Sequence, residues 1–545
     1  MKAWSHSQLA GQSALMSLKL FNKSLNLAAL IWVLLCILAL ARFASISSNR
    51  TFQYDEWNFV LNRWQLSQDT FLQPHNSHLS IFPAAVFYFL FRAVGLANYW
   101  VFLFVGFIAH IATASIFASL VSKRLGRTSA LALGTLFLFL GTGAENILWP
   151  FQIGAMASLA GYLSAIHFLN SEHRHGKLLA MMLIILSIGS AGFGIAAVIG
   201  ITVQIVLSKQ IKKFWWVTVV PSTLWLLWYL NYGQSEVKPE NLNVALRYIN
   251  ESLAASLSSM FALSISWGFV FEIMFLAALA YFVAVKKIFS PQLAGLIAVL
   301  LVNWFFTALS RAQFWAPQSS RYVYFTIPLI ILVLAEITRK LPRQQLNLAA
   351  VIIAIWSITA TWSFMNAHAN LLRDWSASLR AELSALEEQK QFVDPNYFPD
   401  TLRAPDISAK KYFAATAALE SSPAQEFSSL LTTSNSVRTE VDRVLLQSGA
   451  LVVGELSQPS KGCNAELDAS DYLVLNKSSV FISSPDGEIE IGFRRFADEP
   501  NSALRTVIAD GAQISVTTQK MSDDDFWTVV SLTPNKRVCI SASSG

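Results

Sequence analysis

Charged residues are scarce in this chain, at 14% of 545 residues, whereas 54% of the residues are hydrophobic. Soluble domains carry about a quarter charged residues, so the shortage excludes an ordinary soluble protein over most of the length. Uncharged apolar runs recur as far as Phe364, which is typical of a polytopic membrane protein. The more polar remainder predicts a water-facing domain of about 180 residues, an ordinary domain size.

Cysteine is also rare, with three residues in the whole chain, which excludes a disulfide-dense scaffold. Cys36 lies in the first apolar run, and Cys463 and Cys539 lie in the polar tail. If the tail is outside the cytoplasm, we predict a disulfide between Cys463 and Cys539. The alternative is that both are unpaired cysteines in the core of the tail.

The net charge of +6 does not indicate a nucleic-acid partner, because the basic residues sit in short clusters between apolar runs. Such clusters mark cytoplasmic loops under the positive-inside rule. Residues 1–24 are therefore expected in the cytoplasm, and residues 25–43 are interpreted as a retained anchor, since the run is long for a cleaved signal. The later basic clusters are Lys123–Arg127, His173–Lys177, Lys209–Lys213, Lys286–Lys287 and Thr338–Arg343.

The topology depends on Ile81–Leu96, an apolar segment that contains Pro83 and Arg92. As a helix it is about 24 Å long, against a bilayer core of about 30 Å. If it crossed the membrane, every later basic loop would lie outside, so we predict a horizontal or re-entrant helix at the membrane surface. The glycines between 187 and 194 predict a break that divides 178–208 into two crossings. A single helix there would place every later loop on the opposite side of the membrane.

About eleven crossings result, which places the tail outside. They are residues 25–43, 98–121, 128–144, 153–169, 178–188, 194–208, 214–230, 267–285, 292–309, 322–337 and 346–364.

The predicted fold is an all-α polytopic membrane bundle in residues 25–365, with its first external loop at 44–97. Residues 366–406 are expected to form a helix and a Pro-rich linker. Residues 407–545 are expected to form an extracytoplasmic α+β domain rich in β-strands. Its short alternating runs start at Leu451, Tyr472, Val480, Ile489, Gln513, Trp527 and Val538.

An acidic pair opens the first external loop, in Gln53-Tyr-Asp-Glu-Trp57. A carboxylate beside a membrane can take a proton from an acceptor hydroxyl, so Asp55 and Glu56 are candidate catalytic residues. Trp57 and its aromatic neighbours favour a walled cleft with a substrate-binding role. A solvated loop acid is the alternative interpretation.

Two histidines follow in Pro74-His-Asn-Ser-His78. On a helix, His75 and His78 would share a face. From that face they could bind a phosphate, orient an acceptor or, with Asp55, bind a metal. An ordinary helix N-terminus after Pro74 is the alternative.

Two arginines flank a later external loop, Ser310–Tyr322. Arginine is a planar, permanently charged donor suited to phosphate, so Arg311, Arg321 and the adjacent Tyr322 are candidate phosphate-binding residues. The alternative is a pair of anchors that contact lipid headgroups.

Polar groups beside a tryptophan occur at Glu145, Trp149 and Gln152 in another external loop. This combination suits sugar stacking, although tryptophan is enriched at membrane interfaces in any case. His110 within a crossing is interpreted as a hydrogen-bonding residue between helices.

A first span, an external loop that opens with an acidic pair, and histidines before an amphipathic helix together resemble the GT-C glycosyltransferases. That family includes the protein O-mannosyltransferases, the lipid A aminoarabinose transferases and the oligosaccharyltransferases. The resemblance covers about residues 25–365 and is carried by architecture more than by exact motif. Mannosyltransferases continue His-Pro-Pro-Leu where this chain has His75-Asn-Ser-His78, which favours a bacterial cell-envelope enzyme.

The resemblance implies transfer of a sugar from a polyprenyl-phosphate-linked donor to a glycan, lipid or protein acceptor on the extracytoplasmic side of the bacterial inner membrane. Asp55 matches the family's loop aspartate and would act as the general base, with Glu56 as its acidic neighbour. Arg321 and Tyr322 match phosphate-binding positions in a late loop. No cofactor is required on this interpretation, and a divalent metal remains an open alternative.

Rival functions share many of these parts. A transporter or flippase for lipid-linked saccharides would need broken helices and polar residues at mid-membrane, and the glycine-rich break is its one supporting feature. A polymerase or ligase for lipid-linked glycans uses the same groups, and a non-catalytic scaffold with a sensing tail is the third alternative.

Overall fold

The computed structural model of the protein describes residues 27–456, 465–467, 472–475, 479–500, 505–518 and 527–542. The chain forms two compact units. The first unit contains residues up to 47, 71–85 and 103–370, and the second contains 48–70, 86–102 and 371–545. Most of the loop between the first two long helices thus belongs with the C-terminal part of the chain.

Helices predominate up to residue 388, as the long apolar runs predict. Their bounds are α1 Leu27–Ile46, α2 Asp55–Asn62, α3 Gln68–Leu72, α4 Ile81–Val94, α5 Tyr99–Leu125, α6 Arg127–Leu138, α7 Ala144–Leu148, α8 Ile153–Leu169, α9 Gly176–Ile188, α10 Phe193–Leu207, α11 Ile211–Phe214, α12 Trp216–Tyr232, α13 Ala245–Ser259, α14 Ile265–Ala280, α15 Pro291–Arg311, α16 Ser320–Thr338 and α17 Arg343–Glu388. Short 3-10 turns lie at Gly141–Gly143, Pro150–Gln152, Pro239–Val244 and Ala312–Phe314.

Seven helices in the described residues are long and apolar enough to cross a membrane, or eight if the bent pair Arg127–Leu138 and Gly141–Leu148 forms one span. In α1, only Ala39, Phe43 and Ile46 are buried. Exposed leucine, isoleucine and valine cover the rest of this helix, a surface that is stable in lipid and not in water.

The predicted break between residues 178 and 208 is confirmed, because α9 and α10 are separate helices. The last span and the helix after it form one continuous helix, α17, where two segments were predicted. The sequence Ser363-Phe-Met-Asn-Ala367 contains neither glycine nor proline, so nothing there ends the helix. The short helix α4 has 14 residues, and its orientation at the membrane surface remains a prediction.

Two glycines allow a close helix crossing in the first unit, between α10 and α15. A Cβ at Gly200 would lie 2.9 Å from the carbonyl oxygen of Gly295 and would collide with Val299. A Cβ at Gly295 would in turn lie 2.8 Å from the carbonyl oxygen of Gly200. Small residues let membrane helices approach at backbone distance and gain packing contacts.

The loops of the first unit fall into two groups by their contacts. At one end, which we call the basic end, the Arg124 guanidinium donates to Glu336 at 2.9 Å, Arg343 donates to the Arg124 carbonyl oxygen, and Lys123 contacts His167. Two of the basic clusters predicted to share the cytoplasmic side, Lys123–Arg127 and Thr338–Arg343, thus meet each other. The loops that carry the candidate site residues of this unit meet at the opposite ends of the same helices. Which end faces the cytoplasm stays a prediction.

The second unit adds helices and β-strands after residue 388. Its further elements are α18 Ala409–Leu419, α19 Asn435–Gln447, β1 Leu451–Leu456, β2 Ala465–Leu467, β3 Tyr472–Leu475, β4 Ser479–Ser483, β5 Ile489–Arg494, β6 Arg505–Ile508, β7 Gln513–Thr518, β8 Trp527–Ser531 and β9 Val538–Ala542.

The strands form two antiparallel sheets, with orders β1-β7-β4-β9-β2 and β3-β8-β5-β6. Each of the seven alternating runs seen in the sequence is a strand, so the β-rich character of the tail is confirmed. The short strands β2 and β6 were not predicted. The carboxylate of Asp442 joins α19 to the end of β5, because it accepts backbone N–H groups from Arg495, Phe496 and Ala497 at 2.9–3.0 Å.

Candidate functional site

The candidate site is a group of charged and aromatic residues at the end of the first unit opposite its basic end. We call it the polar cluster, and it consists of His78, Glu145, Glu236, Arg311, Arg321 and Tyr322. Electrostatic interactions connect its members: Tyr322 interacts with both arginines and both glutamates, and His78 with Glu236 and Arg311. Loops far apart in the sequence thus supply charge to one place.

The first ion pair of the cluster joins Arg321 to Glu145, with 2.6 Å between Nη2 and Oε1. Arg321 stands in the first turn of α16 and is 47% exposed, while Glu145 in α7 is 15% exposed. The backbone N–H of Glu145 donates to the Oγ of Ser320 at 3.0 Å, so the start of α7 is fixed to the start of α16. Two residues that the sequence analysis singled out separately are therefore partners.

A second ion pair joins Arg311, the last residue of α15, to Glu236 in the loop between α12 and α13. Asn241 holds that loop in place, because its side-chain amide donates to the Leu309 carbonyl oxygen and to Gln313, both at 2.9 Å. The backbone N–H of Lys238 donates to the same carbonyl oxygen at 3.0 Å. Both arginines are thus oriented by carboxylates and remain partly exposed.

His78 lies beside these charges with its side chain partly exposed, and its imidazole packs against the backbone of Gly192. A Cβ at Gly192 would lie 2.7 Å from the ring, so glycine leaves room for the ring in this position. Desolvation by the surrounding protein is the largest cause that lowers the pKa of His78 below its usual value, with Arg311 and His75 acting in the same direction and Glu236 opposing them. The imidazole is therefore neutral at pH 7, and it serves as a hydrogen-bonding group rather than as a cation.

His75 and His78 do not share a helix face, so that part of the prediction is wrong. Their backbones form a tight antiparallel turn with mutual N–H to carbonyl hydrogen bonds of 3.0 and 2.9 Å. Asn76 and Ser77 at its tip have φ of 47° and 61°, a left-handed conformation that interrupts any helix. The His75 ring contacts Phe151, with 4.9 Å between ring centroids.

Replacement of His78 is expected to make stability less sensitive to acid. A histidine whose folded pKa is below its unfolded value of 6.5 stabilises the fold fully above pH 6.5, and this contribution is lost as pH falls toward 4. The difference in melting temperature between wild type and His78→Asn should therefore shrink from pH 7 to pH 4.5. His173→Asn, at a histidine outside the polar cluster, is the control, and an unchanged difference for His78→Asn would contradict the assignment.

An aromatic wall lies next to the two histidines. Trp149 is 5% exposed and packs against Phe151 with 5.1 Å between ring centroids, so it is a buried wall and not an exposed sugar platform. Asn146 is fully buried and donates to Gln152 at 3.5 Å. Within the described part of the chain its Oδ1 atom has no hydrogen-bond partner, which leaves an acceptor in the wall.

The acidic motif of the first loop belongs to the second unit. Glu56 is fully buried, and its carboxylate accepts hydrogen bonds from the Tyr99 hydroxyl, at 2.9 and 3.0 Å, and from the Gln53 backbone N–H at 2.9 Å. Trp57 is also buried and donates to the Phe52 carbonyl oxygen at 3.0 Å. Asp55 in the first turn of α2 is half-buried. Of the two acids, Asp55 is thus the one that reaches solvent.

Some residues at the polar-cluster end of the first unit were not predicted from the sequence. Glu236 and Asn241 lie in a loop whose sequence shows no motif. Tyr248 in α13 is 1% exposed, and its hydroxyl has no hydrogen-bond partner among the residues that the structure describes. It lies near Tyr322 and edge-on to Trp315 at 5.9 Å. The sequence does give one indication that this segment forms a loop region, because the polar residues within 231–264 separate two apolar runs.

His110 confirms its prediction as a link between helices, because its Nδ1 and Nε2 lie 2.9 Å from the Tyr324 hydroxyl and 3.1 Å from the Leu138 carbonyl oxygen. Cys539 is disulfide-bonded, whereas Cys463 lies outside the described residues, so that pairing stays a prediction. No group of three or more histidine, cysteine, aspartate or glutamate side chains suited to a metal occurs in the described residues.

No protein-family model, no curated protein and no solved structure matches this chain.

Proposed function

We propose that the protein is a membrane glycosyltransferase of the GT-C type. It moves a sugar from a polyprenyl-phosphate-linked donor to a cell-envelope acceptor on the extracytoplasmic side. The observation that carries the proposal is the polar cluster, in which Arg311, Arg321 and Tyr322 from two helix ends meet beside a neutral histidine.

The chemistry of such a transfer requires a cationic group for the leaving phosphate. A polyprenyl-phosphate sugar is already activated, so stabilising the departing phosphate lowers the barrier more than tighter binding of the sugar does. Guanidinium groups bind phosphate oxygens through paired N–H donors. In the proposal, Glu145 and Glu236 orient the two arginines, and the neutral His78 contacts sugar hydroxyls.

Asp55 is the proposed general base, which takes the proton from the acceptor hydroxyl. Its half-buried position at the start of α2 supports this role over Glu56, whose carboxylate is enclosed by the Tyr99 hydroxyl and the Gln53 N–H. The proposal needs no cofactor.

The proposed topology has about eleven crossings, formed by α1, α5, α6 with α7, α8, α9, α10, α12, α14, α15, α16 and the first part of α17. The N-terminus is then cytoplasmic and the β-rich domain extracytoplasmic, in a bacterial inner membrane. The meeting of two of the predicted basic loops at one end of the first unit supports this arrangement.

A transporter or flippase for lipid-linked saccharides is the second candidate. It is favoured by the 44° bend between Arg127–Leu138 and Gly141–Leu148 and by the break between α9 and α10, since broken helices are common in transporters. A polymerase or ligase for lipid-linked glycans differs from the first proposal only in its acceptor.

Mass spectrometry of membrane lipids and envelope glycans tests the proposal, in cells with the chain, without it, and with Arg321→Gln. Cells without the chain should accumulate a polyprenyl-phosphate sugar and lose one sugar from a glycan, and Arg321→Gln should reproduce most of this loss. Lys286→Gln, which removes a positive charge outside the cluster, should restore wild-type glycans. Unchanged lipid-linked sugars and glycans in cells without the chain would refute a transferase.

A further inference from the structure

A second polar site lies at the basic end of the first unit, on the helices that carry the polar cluster at their other ends. It is a cavity of about 240 Å³ between the ends of α8 and α10 and the start of α9. Its lining consists of Leu169, Asn170, Lys177, Gln204, Ile205, Ser208 and Gln210. Five of these seven side chains are polar, and none is acidic, so the cavity is built for a polar ligand without positive charge.

The ammonium group of Lys177 is held at this cavity by the protein backbone. It donates to the carbonyl oxygens of Leu169 and Ser171, which satisfies the C-terminal end of α8. It also lies 5.6 Å from the centre of the Phe214 ring. An ammonium group has three donors, so the two carbonyl bonds leave one donor for a ligand.

Lys213 brings a second positive charge to the same place. Its ammonium lies 5.3 Å from the centre of the same Phe214 ring and is close enough to repel that of Lys177. Glu172 stands in the nearby loop but does not line the cavity. Two like charges at one cavity are stabilised when an anion binds between them.

Amide groups complete the polar lining. Gln204 is 4% exposed and donates to the Oδ1 of Asn170 at 2.9 Å. The Nδ2 of Asn170 donates to the Ile166 carbonyl oxygen at 2.7 Å. These bonds fix both amides at the cavity, so they are oriented before a ligand binds.

Apolar side chains are exposed directly beside the cavity. On α10, Val206 and Leu207 follow Gln204 and Ile205, and on α9, Leu178 and Met182 follow Lys177; all four are exposed. A ligand that fills the cavity with an anionic group therefore has apolar helix surface next to it for hydrocarbon chains. This combination favours a lipid over a free anion.

We propose that the cavity lined by Lys177, Asn170 and Gln204 binds the phosphate headgroup of an anionic phospholipid, with Lys213 at its rim and the acyl chains along α9 and α10. The site is separate from the proposed transfer reaction and does not depend on it.

Adjacent lysines provide a matched test. Lys212 and Lys213 are both exposed and carry the same charge, but it is Lys213 that lies at Phe214 and interacts with Lys177. The purified full-length protein is titrated with phosphatidylglycerol or phosphatidylcholine, and retained lipids are counted by native mass spectrometry. Lysine charges near a membrane surface each contribute about fivefold to binding. Lys213→Gln should therefore weaken phosphatidylglycerol retention about fivefold and Lys177→Gln about tenfold or more, whereas Lys212→Gln should leave it unchanged.

Three outcomes would overturn the proposal. Equal retention of the two lipids by the wild type would exclude headgroup recognition. Equal losses for Lys212→Gln and Lys213→Gln would indicate diffuse surface charge. Binding of inorganic phosphate that phosphatidylglycerol does not displace would identify a soluble anion as the occupant. Melting temperatures identify any variant that is misfolded, and Lys213→Gln tests the site even if Lys177→Gln does not fold.

Discussion

Asp55→Asn is expected to reduce sugar transfer by about 10²–10⁴-fold, the range associated with loss of a general base. The amide has nearly the same size and shape as the carboxylate but cannot accept the proton of the acceptor hydroxyl. Binding of the lipid-linked donor should survive, since the proposed phosphate ligands are Arg311 and Arg321. The assay uses purified protein and the lipid-linked sugar that accumulates in cells lacking the chain.

Two neighbouring acids serve as controls for this experiment. Asp69 in α3 is an exposed carboxylate of the same unit, and Asp69→Asn should transfer sugar at the wild-type rate. Glu56→Gln should instead lower stability, because the amide disrupts the buried hydrogen bonds with the Tyr99 hydroxyl and the Gln53 N–H. A fully active Asp55→Asn would reject the base. Loss of transfer with intact donor binding would reject the transporter.

Asp55 and Glu56 have different surroundings in the structure, but the sequence does not indicate which of the two is buried. Successive residues of a helix point about 100° apart, so in α2 one acid faces the core while the other reaches solvent. Which one does so depends on Tyr99, a residue far along the chain that donates to the Glu56 carboxylate. The pair was predictable as a feature, but the roles of its members were not.

Hydrophobicity predicted the helical and β-rich parts of the chain well, because its pattern extends over many residues in each part. Runs of apolar residues became long helices, and the glycines between Ser187 and Gly194 separate α9 from α10. Alternating runs in the tail became strands, since a period of two residues is the signature of a sheet with one buried face. The strands β2 and β6 have 3 and 4 residues, too few for such a period to be visible.

The polar cluster was only partly predictable. Arg311, Arg321 and Glu145 attracted attention as polar groups at the ends of apolar runs, but their ion pairs depend on how α7, α15 and α16 pack. Glu236 is an ordinary loop glutamate by sequence and becomes significant through its pairing with Arg311. The turn at His75–His78 was missed because Asn76 and Ser77 adopt a left-handed conformation that the sequence permits but does not require.

Glu382→Ala is expected to destabilise the second unit by about 3 kcal/mol, because two largely buried arginines lose the fully buried carboxylate that they share. Glu382 in α17 is fully buried, and its Oε1 accepts hydrogen bonds from Arg403 at 2.7 Å and Arg443 at 2.9 Å. Arg443 also donates to the Pro399 carbonyl oxygen at 2.8 Å. One carboxylate thus holds together the long helix, the segment after it and α19.

A matched variant separates this buried network from ordinary surface pairing. Glu440 pairs with the same Arg443 at 2.7 Å but is 33% exposed, so Glu440→Ala should cost no more than about 1 kcal/mol. Melting temperature and the rate of proteolysis within residues 389–408 are the measurements for both variants. The Glu382→Ala variant should melt at a markedly lower temperature and be cleaved faster. Arg403 and Arg443 lose the carboxylate that they share, and Arg443 is the residue that donates to the Pro399 carbonyl oxygen. Equal effects of the two variants would mean that Arg443 is held by its exposed partner, and that the buried carboxylate does not organise the second unit.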